Sequence, residues 1–149
     1  MSGKVFLDTN LIIYLYSEKE PVKREAVCQI LNKYNCVTNI QSLKEASNVW
    51  FRKFGWDGPK IKEHLDNVEL VCDEILQISR KTIDRAIDAK DRYGFSFYDC
   101  VMLASALEGN CDIIFSEDMN DGQIIDGKLK IANPFGIPKP TATVDTAVD

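Results

Sequence analysis

VFLDTNLIIYLY, residues 5–16 of this 149-residue chain, sets an acid between two apolar runs. Val5-Phe6-Leu7 reads as a short buried strand, Asp8 comes directly at its end, and Leu11 to Tyr16 resumes the apolar run as a helix or turn. In an open α/β sheet the crevice outside the carboxyl ends of the strands gathers loops and helix N-termini. A carboxylate at that point is placed to meet a ligand. The same Asp8, with Thr9 and Asn10, also suits a turn and a helix cap, because short polar side chains accept backbone N–H bonds there. Both readings stand on the sequence.

Outward from this stretch, strands and helices alternate. Strand Lys4–Leu7 is followed by a helix opened by Pro21, with Val22, Ala26, Val27, Ile30 and Leu31 on one face. A second strand is expected at Cys36-Val37-Thr38. A helix carrying Glu45, Ala46, Val49 and Trp50 ends at Gly55 and Gly58, and Pro59 starts the next, with Ile61, Leu65 and Val68 apolar. Ile75 to Ile78 reads as a third strand, Ser79 caps a helix closed by Gly94, and an apolar helix through Asp99 closes the same way at Gly109. Ile113 to Phe115 and Leu129 to Ile131 supply the fourth and fifth strands, the latter after a turn at Asp126-Gly127. Such alternation predicts an α/β fold, a parallel sheet of about five strands sandwiched by helices in three layers. From Gly136 onward Pro, Thr and Ala dominate, so one domain over residues 1–135 and a mobile tail over 136–149 are expected.

Three further acids interrupt or border apolar segments. Asp99 is the only charged residue of the run Tyr98 to Leu107, and helical spacing sets it beside Met102 and Leu103. A buried, unpaired carboxylate costs several kcal/mol or takes up a proton, and a cation removes that cost. Ser96-x-x-Asp99 also has capping-box spacing, and one carboxylate can cap with one oxygen and bind with the other. Glu45 carries the same ambiguity through Ser42-x-x-Glu45, where the cap is the plainer reading. Asp118 follows Ile113-Ile114-Phe115 and the polar Ser116-Glu117, either as an acid at a strand mouth or as part of the Asp-, Asn- and Gly-rich turn from Ser116 to Gly122. Jointly the four placements point to a site for a hard cation.

Composition narrows the chemistry. With 45% hydrophobic and 28% charged residues, the chain is that of an ordinary globular domain, its apolar runs too short to span a membrane. Met1 lies almost against the first strand, so no signal peptide and a cytoplasmic location are expected. Five widely spaced cysteines form no C-x-x-C pair and read as reduced core residues. The single histidine, His64, lies in the helix with Ile61, Leu65 and Val68 on its apolar side and reads as a surface or boundary residue rather than a ligand, which excludes histidine-based zinc sites and triads that need an imidazole base. Any chemistry runs on carboxylates. A net charge of −5 argues against nucleic-acid binding by bulk attraction. Local cations such as Lys44, Arg52 and Lys53 near Glu45, or the mixed helix Arg80–Tyr93, remain available for phosphate contact.

VFLDTNLIIYL, QSLKEASNVW, FSFYDCVMLASAL and DIIFSEDMNDGQ, in this order and spacing, resemble the four motifs of PIN-domain ribonucleases, and the likeness spans Val5 to about Phe135. It is nearest to the VapC-like branch, the toxins of bacterial and archaeal toxin–antitoxin pairs. The closing Asn133-Pro134-Phe135 fits as well. Carried over residue by residue, the resemblance implies Asp8, Glu45, Asp99 and Asp118 as the acidic quartet, with Asn10 and Ser116 as polar support for metal or water. Glu117 or Asp121 could replace Asp118 as the fourth acid. The resemblance further implies Mg²⁺ or Mn²⁺, endonucleolytic cleavage of RNA, a homodimer and an antitoxin partner. Oxygen-only donors suit such hard cations on chemical grounds too.

Other phosphate-handling classes fit less well. A receiver domain is disfavoured because Asp99 begins a buried helix rather than ending a strand, and an Asp-x-Asp phosphotransferase is excluded because position 10 is Asn. No glycine-rich phosphate loop is present. The remaining alternative is a PIN-like fold that serves as a nucleic-acid or protein binding module with little turnover.

Overall fold

In a computed structural model, which describes residues 3–136, the chain runs β1 (Lys4–Leu7), α1 (Thr9–Leu15), α2 (Pro21–Lys33), β2 (Asn35–Asn39), α3 (Ile40–Arg52), α4 (Gly58–Val71), β3 (Glu74–Leu76), α5 (Arg80–Tyr93), α6 (Phe97–Glu108), β4 (Ile113–Phe115), β5 (Ile124–Ile125) and β6 (Leu129–Ala132). The tail expected from residue 136 lies almost wholly outside the described residues.

The sheet order is β3-β2-β1-β4-β6-β5. Five strands pair in parallel, as the alternating pattern predicts, and the sixth, β5, runs antiparallel to β6 at the edge. Two residues are too few to show a period, so β5 left no signal in the sequence. Successive strand residues point to opposite faces. In β1, Val5 and Leu7 pack with residues of α1 to α4, whereas Phe6 joins Val37, Ile114 and the α6 residues Met102, Leu103 and Ala106 on the other face. Helix α5 lies beyond, with Ala86 against Cys100, Val101 and Ala104 of α6. These are the three layers.

Helix boundaries mostly follow the predicted caps. Ser79 and Thr82 form a reciprocal capping box for α5, which Gly94 closes at φ 79°. Gly109 departs from expectation: its φ of −81° is open to any residue, and the left-handed position falls on Asn110 at φ 58°. Space favours glycine at 109 instead, since a Cβ there would come within 2.9 Å of Leu76 Cδ1. Helix α3 begins three residues earlier than its sequence spacing suggests, with Asn39 as N-cap accepting the Ser42 N–H at 2.9 Å. Ser42 is therefore helical and Glu45 lies beyond the first turn, so the capping-box reading of Glu45 fails. All five cysteines are free and four are buried, consistent with reduced core residues. No helix among the described residues is long and apolar enough to cross a membrane.

Candidate active site

The chain builds β1, β2 and β3 outward in one direction, then returns to lay β4 on the opposite side of β1. The reversal opens a crevice between the carboxyl ends of β1 and β4, the usual ligand position of an open α/β sheet. Asp8 ends β1 there and Ser116 ends β4, and the Ser116 hydroxyl donates to Asp8 Oδ2 at 2.7 Å. The other carboxylate oxygen of Asp8 caps α1, accepting the Thr9 N–H at 2.8 Å. Capping and site placement thus coexist in one carboxylate.

The remaining expected residues come from three helices and the turn after β4. Asn10, in the first turn of α1, donates from Nδ2 to Asp118 Oδ2 at 3.1 Å. The Ser116 hydroxyl oxygen accepts the Asp118 N–H at 3.2 Å, so Ser116 braces both aspartates. Glu45 projects from α3, where its Oε1 accepts the Thr9 hydroxyl at 2.6 Å and its Oε2 accepts Gln41 Nε2 at 3.0 Å. Asp99 sits in the first turn of α6, its N–H capped by the Ser96 hydroxyl at 3.2 Å. Thr9 and Gln41 escaped the sequence reading; Thr9 was legible only as a turn residue, and its partner lies 36 positions away.

Electrostatics binds the group together. Burial, reinforced by the charges of Asp99 and Asp118 and opposed by the hydrogen bonds from Ser116 and Thr9, pushes the Asp8 carboxyl up to about 7. Asp99 is raised by burial and by Asp118 and Glu45, and Asp118 by burial and Glu117. The acids therefore feel one another across the crevice and disfavour a fully ionised state. Of the alternatives for the fourth acid, Glu117 turns away to Tyr14 and Lys23, and Asp121 accepts the Asn133 N–H at 2.8 Å. Among the expected cations, Lys44 is exposed beside Glu45, whereas Arg80, Arg85 and Arg92 are engaged with Asp84, Glu108 and Asp126.

Asn10 Oδ1 is buried and has no hydrogen-bond partner among the described residues, an acceptor beside the Asp118 carboxylate that a donor or a cation would satisfy. Among the described residues, no three His, Cys, Asp or Glu side chains are arranged to hold a metal by themselves. Mg²⁺ is commonly held by one or two carboxylates with several waters and phosphate oxygens, and the side chains gathered here are oxygen donors.

Comparison with known proteins follows the same lines. No curated protein matches the chain. Among solved structures, a toxin–antitoxin complex from Klebsiella pneumoniae has a chain similar to this one at TM-score 0.67 and 18% identity, covering 89% of this chain and 99% of that one. VapBC2 from Rickettsia felis, bound to a promoter DNA fragment, aligns at TM-score 0.62 and 14% identity over 86% and 98%. Mycobacterium tuberculosis VapC20, described as a sarcin–ricin loop cleaving toxin, aligns at TM-score 0.58 and 15% identity over 76% and 91%. At these identities the likeness speaks for the fold. The PIN domain family model matches residues 5–120, from β1 through β4 and including α6 and all four crevice acids, and the chain belongs to the PIN domain family.

Proposed function

We propose that this protein is a Mg²⁺- or Mn²⁺-dependent endoribonuclease that hydrolyses RNA phosphodiester bonds, and the toxin of a VapBC-like toxin–antitoxin pair. The observation that carries the reading is the buried Asn10 Oδ1, without a hydrogen-bond partner among the described residues, on the side chain that donates to Asp118, where Asp8, Asp99 and Asp118 interact at the β1/β4 crevice. Similarity in fold to toxin–antitoxin proteins, one of them named for cleaving the sarcin–ricin loop, supports RNA as substrate and an antitoxin as partner. A homodimer is part of the same reading.

An ion here would take one or two of the Asp8, Asp99 and Asp118 carboxylates with the Asn10 carbonyl, and the rest of its shell from water and phosphate, with Glu45 nearby as the fourth acid. When bound, such a cation lowers the pKa of a coordinated water and neutralises charge developing on phosphate oxygens. The chain's own residues do the positioning. Ser116 fixes the rotamer of Asp8 and the backbone of Asp118 with a single hydroxyl. Asn10 orients Asp118. Thr9 and Gln41 each donate to one oxygen of Glu45 and orient it within the polar wall, where it would accept a proton from the attacking water.

The test is cleavage of a panel of structured and single-stranded RNAs with Mn²⁺, Mg²⁺ or chelator, comparing wild type with Asp8→Asn and Asp99→Asn. Metal-dependent cutting lost in both variants is expected. Wild-type protein that binds Mn²⁺ yet cuts nothing would refute the nuclease and favour a binding module.

A further inference from the structure

Three acids follow β4 within six positions, Glu117, Asp118 and Asp121, and each has a different partner. Asp121 is held by the Asn133 backbone. Glu117 is adjacent to Asp118, and something must direct the two carboxylates apart.

What surrounds Glu117 is a clamp drawn from distant parts of the chain. Its Oε1 accepts the Tyr14 hydroxyl from α1, and its Oε2 forms an ion pair with Lys23 Nζ from α2. Lys23 Nζ also donates to the Tyr14 hydroxyl oxygen at 3.2 Å. The ammonium lies 4.7 Å from the Tyr14 ring centroid and 5.3 Å from that of Phe135, two rings that meet edge to face at 5.2 Å and 86°. Tyr14 is fully buried, and the Lys23 and Glu117 side chains are only 25% and 20% exposed. Partial desolvation makes this ion pair less screened than a surface pair. One residue on, Asp118 turns towards the crevice, its N–H on Ser116 and its carboxylate on Asn10.

We propose that Lys23 is a positioning residue for the centre proposed above: with Tyr14 it holds Glu117 out of the acid cluster and so commits the Ser116–Asp118 turn to presenting Asp118. This rests on the metal-site reading of Asp8, Asn10 and Asp118. Lys23 acts through Glu117 and touches no reacting atom. Its charge also reaches Asp118, where it opposes the upward push from Glu117.

The experiment compares Lys23→Met, which keeps an unbranched apolar stem, with Lys23→Arg, which keeps the charge. Amide hydrogen exchange is read over residues 116–121, and Mn²⁺ affinity is read from the paramagnetic resonance of the free ion. Lys23→Met is expected to speed exchange over 116–121 about tenfold or more, with α6 and β1 unchanged, and to weaken Mn²⁺ binding about tenfold. Lys23→Arg restores both. In an Asp118→Asn background, Lys23→Met weakens Mn²⁺ binding no further, because the route through Asp118 is already cut. Unchanged exchange over 116–121, or an equal loss of Mn²⁺ affinity in the Asp118→Asn background, overturns the proposal. Absence of RNA cleavage with these results intact refutes the nuclease and leaves the clamp standing, whereas a wild type that binds no Mn²⁺ overturns both.

Discussion

Asp8 stores a measurable penalty in the metal-free protein. Its carboxyl, 6% exposed and facing Asp99 and Asp118, titrates near 7 in the folded state against a reference of 3.8. A carboxyl whose folded pKa is raised keeps its proton longer when folded than when unfolded. Between about pH 4 and pH 7 the unfolded chain therefore binds fewer protons, and stability falls as pH rises. At about 1.4 kcal/mol per pH unit, the gap between 3.8 and about 7 amounts to roughly 4 kcal/mol, absent below pH 4 and fully felt above pH 7. Asp8→Asn keeps an oxygen for the Thr9 N–H and cannot ionise, so it isolates this effect. Urea unfolding of both proteins in chelator from pH 4 to 8 gives the difference in unfolding free energy, in which contributions from other groups largely cancel. Wild type should lose about 4 kcal/mol relative to Asp8→Asn over that range, and Mn²⁺ at pH 8 should return stability to wild type alone. A difference flat to within about 1 kcal/mol across the range would refute the claim that burial and neighbouring acids strain this carboxylate.

Saturating Mn²⁺, at about 100 times its Kd, is expected to add about 2.7 kcal/mol and raise Tm by roughly 5–10 °C, and Asp99→Asn should abolish the rise while remaining folded by circular dichroism. Thr9→Val removes the hydroxyl that orients Glu45, and should lower RNA cleavage by roughly 10- to 100-fold, as expected for a lost hydrogen bond to a charged group, with Thr9→Ser recovering most of the rate. Asn39→Ala strips the cap of α3 and leaves the buried Ser105 hydroxyl without its donor at 2.9 Å. The urea midpoint should report a loss of about 2–3 kcal/mol with the m-value unchanged.

The layers of the fold were legible because each parallel strand and each helix carries its own local period. Val5-Phe6-Leu7, the α6 run after Asp99 and the Ser79 cap announce themselves within a few residues. β5 and the start of α3 were not legible in this way. A two-residue strand has no period, and Ser42-x-x-Glu45 imitates a cap that Asn39 provides instead. The identity of the fourth acid was open for a related reason: Glu117, Asp118 and Asp121 share one polar loop, and their directions depend on partners up to 108 positions away.

By itself, then, the sequence determined an α/β domain and marked four acids as out of place against apolar neighbours, since burial preference and periodicity are local properties of the chain. Tertiary structure alone decided that β4 returns to the side of β1 opposite β2, bringing Ser116 to Asp8 and Asp118 to Asn10 across 108 positions each. It also decided that Lys23, which no local pattern distinguishes, meets Glu117. Strand order follows from how the helices pack on the two faces of the sheet, and that packing is summed over the whole core.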